Sequence, residues 1–307
     1  MINKKSPRNK TIVVSEDEYR EYSQRLNKLS KTVSLSEVMN KTINQDSIEV
    51  LPLLPHKSID LLFADQPYNL SKVYNKHHFT SLPENEYESW LDTWISQICP
   101  ILKPTASIYV CADWKCSSNV YKVLERYFIV RNRITWERDK GRGARSNWKN
   151  TSEDIWFCTV SNDYTFNVDD VKLKKKVLAP YTKDGIAKDW QEENTGNFRL
   201  TYPSNLWTDL TVPFWSMAEN TEHPTQKPEK LLTKIILASS NKGDVVLDPF
   251  LGSGTTSVVA KKLGRKYIGV EQDEEYACLA EKRLDMATED KRIQGYDDGI
   301  FYERNSK

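Results

Sequence analysis

The stretch Asp244-Val245-Val246-Leu247-Asp248-Pro249-Phe250-Leu251-Gly252-Ser253-Gly254-Thr255-Thr256-Ser257 decides the fold. A short apolar run of strand length meets a glycine-rich turn, and a helix is expected to open at Thr255. Gly252 and Gly254 let the backbone approach a ligand and adopt positive φ. The helix start offers unpaired N–H groups. About twenty positions on, Lys266-Tyr267-Ile268-Gly269-Val270-Glu271 reads as a second strand ending in an acid. Strand, glycine turn, helix, strand and acid together form the layout of a nucleoside-binding half, in which the acid takes ribose hydroxyls.

The details narrow the ligand. Ser257 stands where a dinucleotide fingerprint would place its third glycine, and the lysine of a phosphate-binding P-loop is missing. Asp248 at the strand end would repel a phosphate but suits an ammonium or sulfonium. S-adenosylmethionine carries an amine, a carboxylate, a sulfonium and an adenosine, with no phosphate, and matches an acidic glycine loop.

Outward from this stretch the rhythm is α/β. Ile59-Asp60-Leu61-Leu62-Phe63-Ala64 is nearly continuous in apolar residues, as in a strand covered on both faces. Helices are predicted over 84–99, 117–128, 228–240, 254–263 and 273–287. Further strands are predicted over 107–112, 128–136, 154–160, 244–248 and 266–271. The alternation argues for a doubly wound, mostly parallel sheet, a Rossmann-like α/β fold. Residues 165–222 are polar and irregular and read as an insertion. The expected divisions are an N-terminal helical extension (1–40), a catalytic half (41–164), the insertion (165–222), a cofactor-binding half (223–287) and a loosely attached polar tail (288–307). In the extension, Ser15 and Glu18 form a capping box, and Tyr19, Tyr22, Leu26 and Leu29 fall at helical spacing. A helix packed on the main domain is the favoured reading, above a ribbon-helix-helix DNA-binding arm.

Composition sets the outer limits. The chain has 307 residues, 44 Lys+Arg against 43 Asp+Glu, a net charge of +1, 38 % hydrophobic and 11 % aromatic residues. It is long enough for a substantial core, and too aromatic for a disordered chain. No apolar run reaches membrane-spanning length. The five cysteines (99, 111, 116, 158, 278) form no CxxC pair, which points to reduced thiols in a cytoplasmic protein rather than a disulfide scaffold. No metal-ligand constellation is visible. Near-zero charge is silent about nucleic acid, because a global sum can hide a basic face beside an acidic one.

A second signal follows the 59–64 run: Asp65-Gln66-Pro67-Tyr68. Ligands of open α/β sheets sit at the carboxyl ends of strands, so Asp65 and Tyr68 should share the crevice of the glycine loop. A carboxylate and a backbone carbonyl there can accept hydrogen bonds from an exocyclic amino group and raise its nucleophilicity. Pro67 restricts Gln66 and holds its carbonyl in place. Tyr68 can stack on a base.

These two signals, with His223-Pro224-Thr225-Gln226-Lys227-Pro228, resemble the amino-type DNA methyltransferases. The order, with the tetrapeptide before the glycine loop, is similar to the permuted beta group of restriction–modification enzymes. Asn44-Gln45-Asp46-Ser47 also fits. The resemblance spans about 41–160 and 200–287. It implies S-adenosylmethionine as methyl donor and a catalytic tetrapeptide of Asp65, Gln66, Pro67 and Tyr68. It implies a cofactor site of Asp46, Ser47, Asp65, His223, Thr225, Gln226, Lys227, Asp248, Pro249, Phe250, Gly252, Ser253, Gly254, Thr255, Thr256 and Glu271. Glu271 would bind the ribose hydroxyls, Asp46 would lie near the adenine, and residues 165–222 would form the target recognition region. The family usually has proline where this chain has Gln66. The acceptor at that position is the backbone carbonyl, which glutamine keeps, so activity should be retained.

In this reading the target base leaves the duplex and stacks on Tyr68, and the methyl group passes directly to its amino nitrogen. No Pro-Cys pair is present to act as a C5-cytosine nucleophile. Asp at the first tetrapeptide position favours N6 of adenine in double-stranded DNA over N4 of cytosine. A glutamine N5 methyltransferase would usually start its tetrapeptide with Asn and place the cofactor loop first. A non-catalytic DNA-binding module is the remaining alternative. Phosphate contacts are expected from the basic cluster around Arg131 and Arg133, chiefly Arg138, Lys140, Arg142, Arg145 and Lys149, interleaved with Trp136 and Trp148. Lys172 to Lys176 form a second patch that fits a solvated face as well as DNA. A cognate restriction endonuclease is the expected functional partner, and the chain is expected to work as a monomer or homodimer.

Overall fold

The apolar runs around Leu61, Ile108, Val246 and Ile268 become strands of one eight-stranded sheet. The computed structural model describes residues 6–74, 77–138, 145–177, 182–183, 186–187, 189–194 and 196–304. The strands lie in the order Lys41–Ile43, Lys266–Val270, Val245–Asp248, Ile59–Ala64, Leu102–Ala112, Ser152–Thr159, Ile129–Glu137 and Leu206–Trp207. All neighbours run parallel except Ser152–Thr159, which is antiparallel to both strands beside it. Helices cover both faces. Along Ile59–Ala64, Leu62 and Ala64 enter one apolar cluster with Trp94 and Ile95 of the Glu84–Ile98 helix. Leu61 and Phe63 enter the other, with Leu231 and Ile235 of the Glu229–Ser239 helix. That double covering is why the strand carries an almost unbroken apolar sequence.

The winding reverses between two adjacent strands. From Ile59–Ala64 the chain passes through Glu84–Ile98 to Leu102–Ala112 on one side. From Val245–Asp248 it passes through Thr255–Lys262 to Lys266–Val270 on the other. The loops leaving the carboxyl ends of these strands therefore diverge and leave a crevice. Asp65 and the glycine turn both stand at its mouth.

The predicted helices and strands of the main sheet are found within a few residues, with instructive departures. The capping box holds, with Ser15 N donating to Glu18 at 2.8 Å. The helix it starts ends at Ser23, short of Leu26 and Leu29. The open sheet edge explains this. Asn27 N donates to Thr42 O at 2.9 Å and Asn44 N to Asn27 O at 2.9 Å, so the chain is drawn into extended pairing beside Lys41–Ile43. Ahead of this helix, Ile12 bridges Thr221 of the same chain. The helix predicted over 117–128 stops at Leu124, because a turn with Phe128 N on Leu124 O delivers Phe128 into the core ahead of the next strand.

The insertion and the tail differ most from expectation. Leu173–Lys176 and Gly196–Thr201 build a five-stranded sheet with Gln191–Glu193, but two of its strands, Tyr296–Asp297 and Ile300–Tyr302, come from the tail. The tail is not loosely attached. Phe301 is fully buried beside Val171, Leu237 and Ala238. Leu206–Trp207, also from the insertion, completes the edge of the main sheet. The insertion, through Asp209 and Trp207, and the tail, through Phe301 and Tyr302, meet at the Glu229–Ser239 helix, all eleven residues of which are buried. Its Lys230 and Lys234 pair with Asp209 at 2.8 and 2.6 Å, and Lys230 also donates to Tyr302 O. Burial drives the Lys234 ammonium down to about 8 against the pull of Asp209. All five cysteines are free. Among the described residues no helix is long and apolar enough to cross a membrane.

Removing the Phe301 ring should leave a cavity that the strands around it cannot close. Phe301→Ala is expected to cost about 3–5 kcal/mol of stability, read as a lower urea midpoint. An unchanged midpoint would return the tail to the loose state predicted from its polarity.

Candidate functional site at the carboxyl ends of the central strands

The glycine turn owes its shape to two positions. Gly254 has φ 87° and caps the Thr255–Lys262 helix. A Cβ there would stand 2.6 Å from Ala280 Cβ and 2.8 Å from Ala280 Cα, closer than atoms can pack. Gly252 has φ 55°, and a Cβ on it would meet His223 Nε2 at 3.0 Å. The turn presents its carboxylates inward. Asp248, 3 % exposed, accepts Phe250 N at 2.9 Å and Thr256 Oγ1 at 2.5 Å. Glu271 accepts Gly252 N at 2.7 Å and Asp273 N at 2.8 Å. Enclosure pushes both carboxyls up to about 7. Neither is paired with a cation in these hydrogen bonds, so both carry a desolvation cost that a suitable ligand would relieve.

The hexapeptide is fastened to this turn from behind. Gln226 accepts Thr221 N and Oγ1 at 2.9 and 2.7 Å and donates to Glu219 O at 2.7 Å. The His223 ring stands edge-on to Tyr276, with centroids 4.4 Å apart. After Pro228 the helix begins with Glu229, which pairs with Arg283 at 3.1 Å. Arg283, 2 % exposed, also donates to Ser253 O at 2.8 Å and Thr255 Oγ1 at 2.9 Å. One buried guanidinium thus ties the hexapeptide's helix to the glycine turn.

The tetrapeptide closes the opposite side. The Gln66 side chain is buried, and its Nε2 donates to Cys111 O at 2.7 Å. Pro67 O accepts Tyr87 OH at 3.1 Å. These bonds fix the backbone on both sides of the Gln66 carbonyl. The side chain therefore adds a clasp to the neighbouring strand that a proline could not make. Asp65 accepts Tyr68 OH on Oδ1 at 2.9 Å and Lys227 Nζ on Oδ2 at 2.6 Å. Glu153 on the antiparallel strand lies under the same pair, 3.2 Å from Tyr68 OH and 3.4 Å from Lys227 Nζ. Its other oxygen accepts Arg138 Nη1 at 2.7 Å. Burial alone would raise the Glu153 carboxyl, but Lys227 and Arg138 hold it below the usual range. Burial likewise opposes the Lys227 charge, and Asp65 and Glu153 outweigh it, leaving the ammonium raised.

The turn, hexapeptide and tetrapeptide enclose one cavity of about 310 Å³. Asp46, Ser47, Asp65, Gln66, Pro67, Tyr68, His223, Thr225, Gln226, Lys227, Asp248, Pro249, Phe250, Gly252, Ser253, Thr255, Thr256 and Glu271 all line it. Gly254 lies behind the lining, against Ala280. Asp46 caps the short Ser47–Val50 helix by accepting Ile48 N, and Ser47 Oγ donates to Pro249 O. Glu153, Phe79, Trp90, Asp273 and Tyr276 also line the cavity, and none of them was foreseen from sequence. Trp90 lies 5.7 Å from Phe79 and 6.1 Å from Phe250, giving the cavity an aromatic wall.

The basic cluster separates into different environments. Arg138 turns inward onto Glu153 and lines the cavity. Arg131 is held by Thr159 Oγ1 and Ser161 O and stacks on Tyr164, and Trp136 is core. Arg145 is exposed and Lys149 half-buried, beside a Trp148 that is 94 % exposed. Lys140 and Arg142 lie outside the described residues. In the second patch, Lys172 pairs with Asp169 and Lys174 with Glu193, at 2.7 and 2.6 Å. After the tetrapeptide, His77–Phe79 forms a short strand paired with Lys72–Tyr74.

The arrangement can bind an uncharged or cationic ligand bearing hydroxyls and a flat ring on its Asp248–Glu271 side. On the Asp65 side it can accept hydrogen bonds from an amine. The sequence model of the N6_N4_Mtase family, described as DNA methylase, matches residues 59–282. The chain is 36 % identical over 250 residues to type II methyltransferase M.HpaI of Haemophilus parainfluenzae, covering 80 % of this chain and 74 % of that one. It is 34 % identical over 248 residues to DNA adenine methyltransferase YhdJ of Escherichia coli (strain K12), covering 80 % and 83 %. Its fold is similar to that of M1.HpyAVI in complex with SAM, with TM-score 0.54, 24 % identity and coverage of 80 % and 98 %. It is also similar to the cytosine-N4-specific PvuII DNA methyltransferase, with TM-score 0.58, 20 % identity and coverage of 85 % and 92 %. The chain is therefore a member of the N6_N4_Mtase family of DNA methylases, which use S-adenosylmethionine to methylate amino groups of DNA bases.

Proposed function

We propose that this protein methylates N6 of adenine in double-stranded DNA, as the modifying half of a restriction–modification pair. The observation that carries the reading is the position of Asp65, at the end of a central strand and across one cavity from Asp248 and Glu271. The aspartate at the head of the tetrapeptide and the resemblance to YhdJ favour adenine. N4 of cytosine is the alternative.

The cavity fits S-adenosylmethionine by its chemistry. Glu271 offers a carboxylate to ribose hydroxyls, the Trp90–Phe250 wall offers a face to adenine, and Asp248 suits the cationic end. Asp46 and Ser47 would border the adenine. His223, Thr225, Gln226 and Lys227 would border the methionine end, with Pro249, Gly252, Ser253, Thr255 and Thr256 forming the turn around it. The cofactor supplies an electrophilic methyl group on sulfonium. The protein's task is to bring an amine up to it in line and to polarise that amine. The target base would be extruded from the duplex and laid against Tyr68. Its amino group would donate to the Asp65 carboxylate and to the Gln66 carbonyl, which the Cys111 and Tyr87 bonds hold still. Cys111 is fully buried and its thiol is pushed well up, so it offers no nucleophile.

Incubation with labelled cofactor and DNA, followed by nucleoside analysis, should yield N6-methyladenine. N4-methylcytosine would establish the alternative, and absence of transfer to any DNA would refute the reading. Asp65→Ala should reduce transfer by about a hundred- to a thousandfold, the scale on which loss of one transition-state partner acts. Substantial remaining turnover in a folded variant would remove Asp65 from the chemistry.

Cofactor affinity should depend on pH in a definite direction. Asp248 and Glu271 rise to about 7 in the free protein, and a ligand that prefers their charged forms lowers them again. Binding then releases protons, so affinity weakens as pH falls below 7 and levels off above it. Calorimetric titration from pH 6 to 8 should show tightening, reduced in Glu271→Gln. A flat profile would count against both carboxylates as cofactor-binding groups.

Arg145 and Lys149, with Lys140 and Arg142, are the proposed phosphate-binding groups. Replacing all four by alanine should weaken DNA binding on every sequence. The salt slope should shrink by up to about 0.9 for each phosphate that is no longer neutralised. An unchanged slope would remove them from the interface.

A further inference from the structure

We infer that Glu153 is a positioning residue that draws Lys227 and the Tyr68 hydroxyl away from Asp65 when the target amine arrives. The inference rests on the methyltransferase reading and adds to it a residue that the tetrapeptide does not contain.

The geometry poses a conflict. Asp65 must accept from the incoming amine, yet both of its oxygens are already engaged, Oδ1 by Tyr68 and Oδ2 by Lys227. A carboxylate neutralised by a contacting ammonium is a weaker acceptor for a neutral amine. Lys227 must therefore loosen its hold on Asp65 as the amine binds. Lys227 is 7 % exposed, so an ammonium moved off Asp65 without another partner would be left buried and unpaired.

Glu153 resolves the conflict. It is 4 % exposed and held on the Ser152–Thr159 strand, which pairs with strands on both sides. Arg138 secures one of its oxygens from the far side. The other, Oε2, faces the same two donors as Asp65, with Tyr68 OH at 3.2 Å and Lys227 Nζ at 3.4 Å. The single phenolic proton cannot serve both carboxylates at once, so the tyrosine is already poised between them. Lys227 is engaged at 2.6 Å on one carboxylate and lies within ion-pair reach of the other. A small shift of both donors toward Glu153 frees lone pairs on Asp65, keeps the ammonium paired, and leaves the total charge of the site unchanged. The base's own N–H groups then replace the donors Asp65 has given up. Glu153 touches neither the base nor the methyl group in this scheme and acts through Lys227 and Tyr68.

Single-turnover methyl transfer by the full chain, with labelled S-adenosylmethionine and a DNA that the wild type modifies, tests this. Glu153→Gln should slow the transfer step at least thirtyfold while cofactor affinity stays within threefold, and Glu153→Asp should restore part of the rate. The decisive comparison is with Lys227→Gln. If Glu153 acts chiefly through Lys227, adding Glu153→Gln to Lys227→Gln should cause a much smaller further loss, limited to the part carried by the Tyr68 hydroxyl, because there is no ammonium left to relocate. A Glu153→Gln rate within threefold of wild type would overturn the inference. So would the same fold-loss in both backgrounds, which marks a merely structural residue. Should Glu153→Gln fail to bind cofactor, Glu153→Asp in the two backgrounds gives the same comparison. Absence of transfer by the wild type itself would instead bring down the methyltransferase reading, and the inference with it.

Discussion

The Glu229–Ser239 helix has no solvent-facing side, and this constraint organises much of the molecule. A buried charge is tolerated only when paired, so each polar side chain of the helix must find a partner within the protein. Glu229 finds Arg283 and Lys262, and Arg283 in turn grips the glycine turn. Lys230 and Lys234 find Asp209 in the insertion, and Lys230 also reaches the tail strand. The hexapeptide that opens this helix is thereby held against three separate segments of chain. Breaking one of these pairs by removing a single partner would strand a charge, at a cost of about 3–5 kcal/mol.

The same economy of charge governs the cavity. On one side stand Asp248 and Glu271, whose carboxyls are pushed up because burial strips their water and no cation pairs with them among the described residues. On the other, Asp65 and Glu153 share Lys227, with Arg138 beyond. The first group is arranged to wait for a ligand and the second is compensated in advance. An even global balance of acids and bases therefore conceals a steep local gradient across a few side chains.

What could be read from the sequence divides along a physical line. The parallel strands were legible because both faces are covered, which forces apolar runs such as Leu61-Leu62-Phe63-Ala64. The glycine turn and tetrapeptide were legible because local geometry restricts residue type, most plainly at Gly254. Glu153 was not legible. Its significance comes from an antiparallel pairing that sets it beneath Tyr68, 85 positions away in sequence, and nothing in Ser152-Glu153-Asp154 separates it from a solvated acid. Arg138 was assigned to phosphate for the same reason, since sequence shows a charge but not the direction it faces. The inserted sheet was hidden because it lacks apolar alternation: Lys174 on its strand Leu173–Lys176 pairs with Glu193 and lies over the faces of Phe198 and Tyr302. Ile300-Phe301-Tyr302 was the available clue to the tail, an apolar triplet in a polar stretch.

The tail strand also sets a schedule for folding. Ile300–Tyr302 lies alongside Leu173–Lys176, so two ends of a loop of well over a hundred residues must meet before the inserted sheet is complete. During synthesis the main sheet has all its strands once Lys266–Val270 has emerged, while the inserted sheet still lacks its inner neighbour. The surface built on that sheet is therefore assembled last, on a finished main sheet. A nascent chain would acquire the crevice at the strand ends before it acquired the whole of the inserted face.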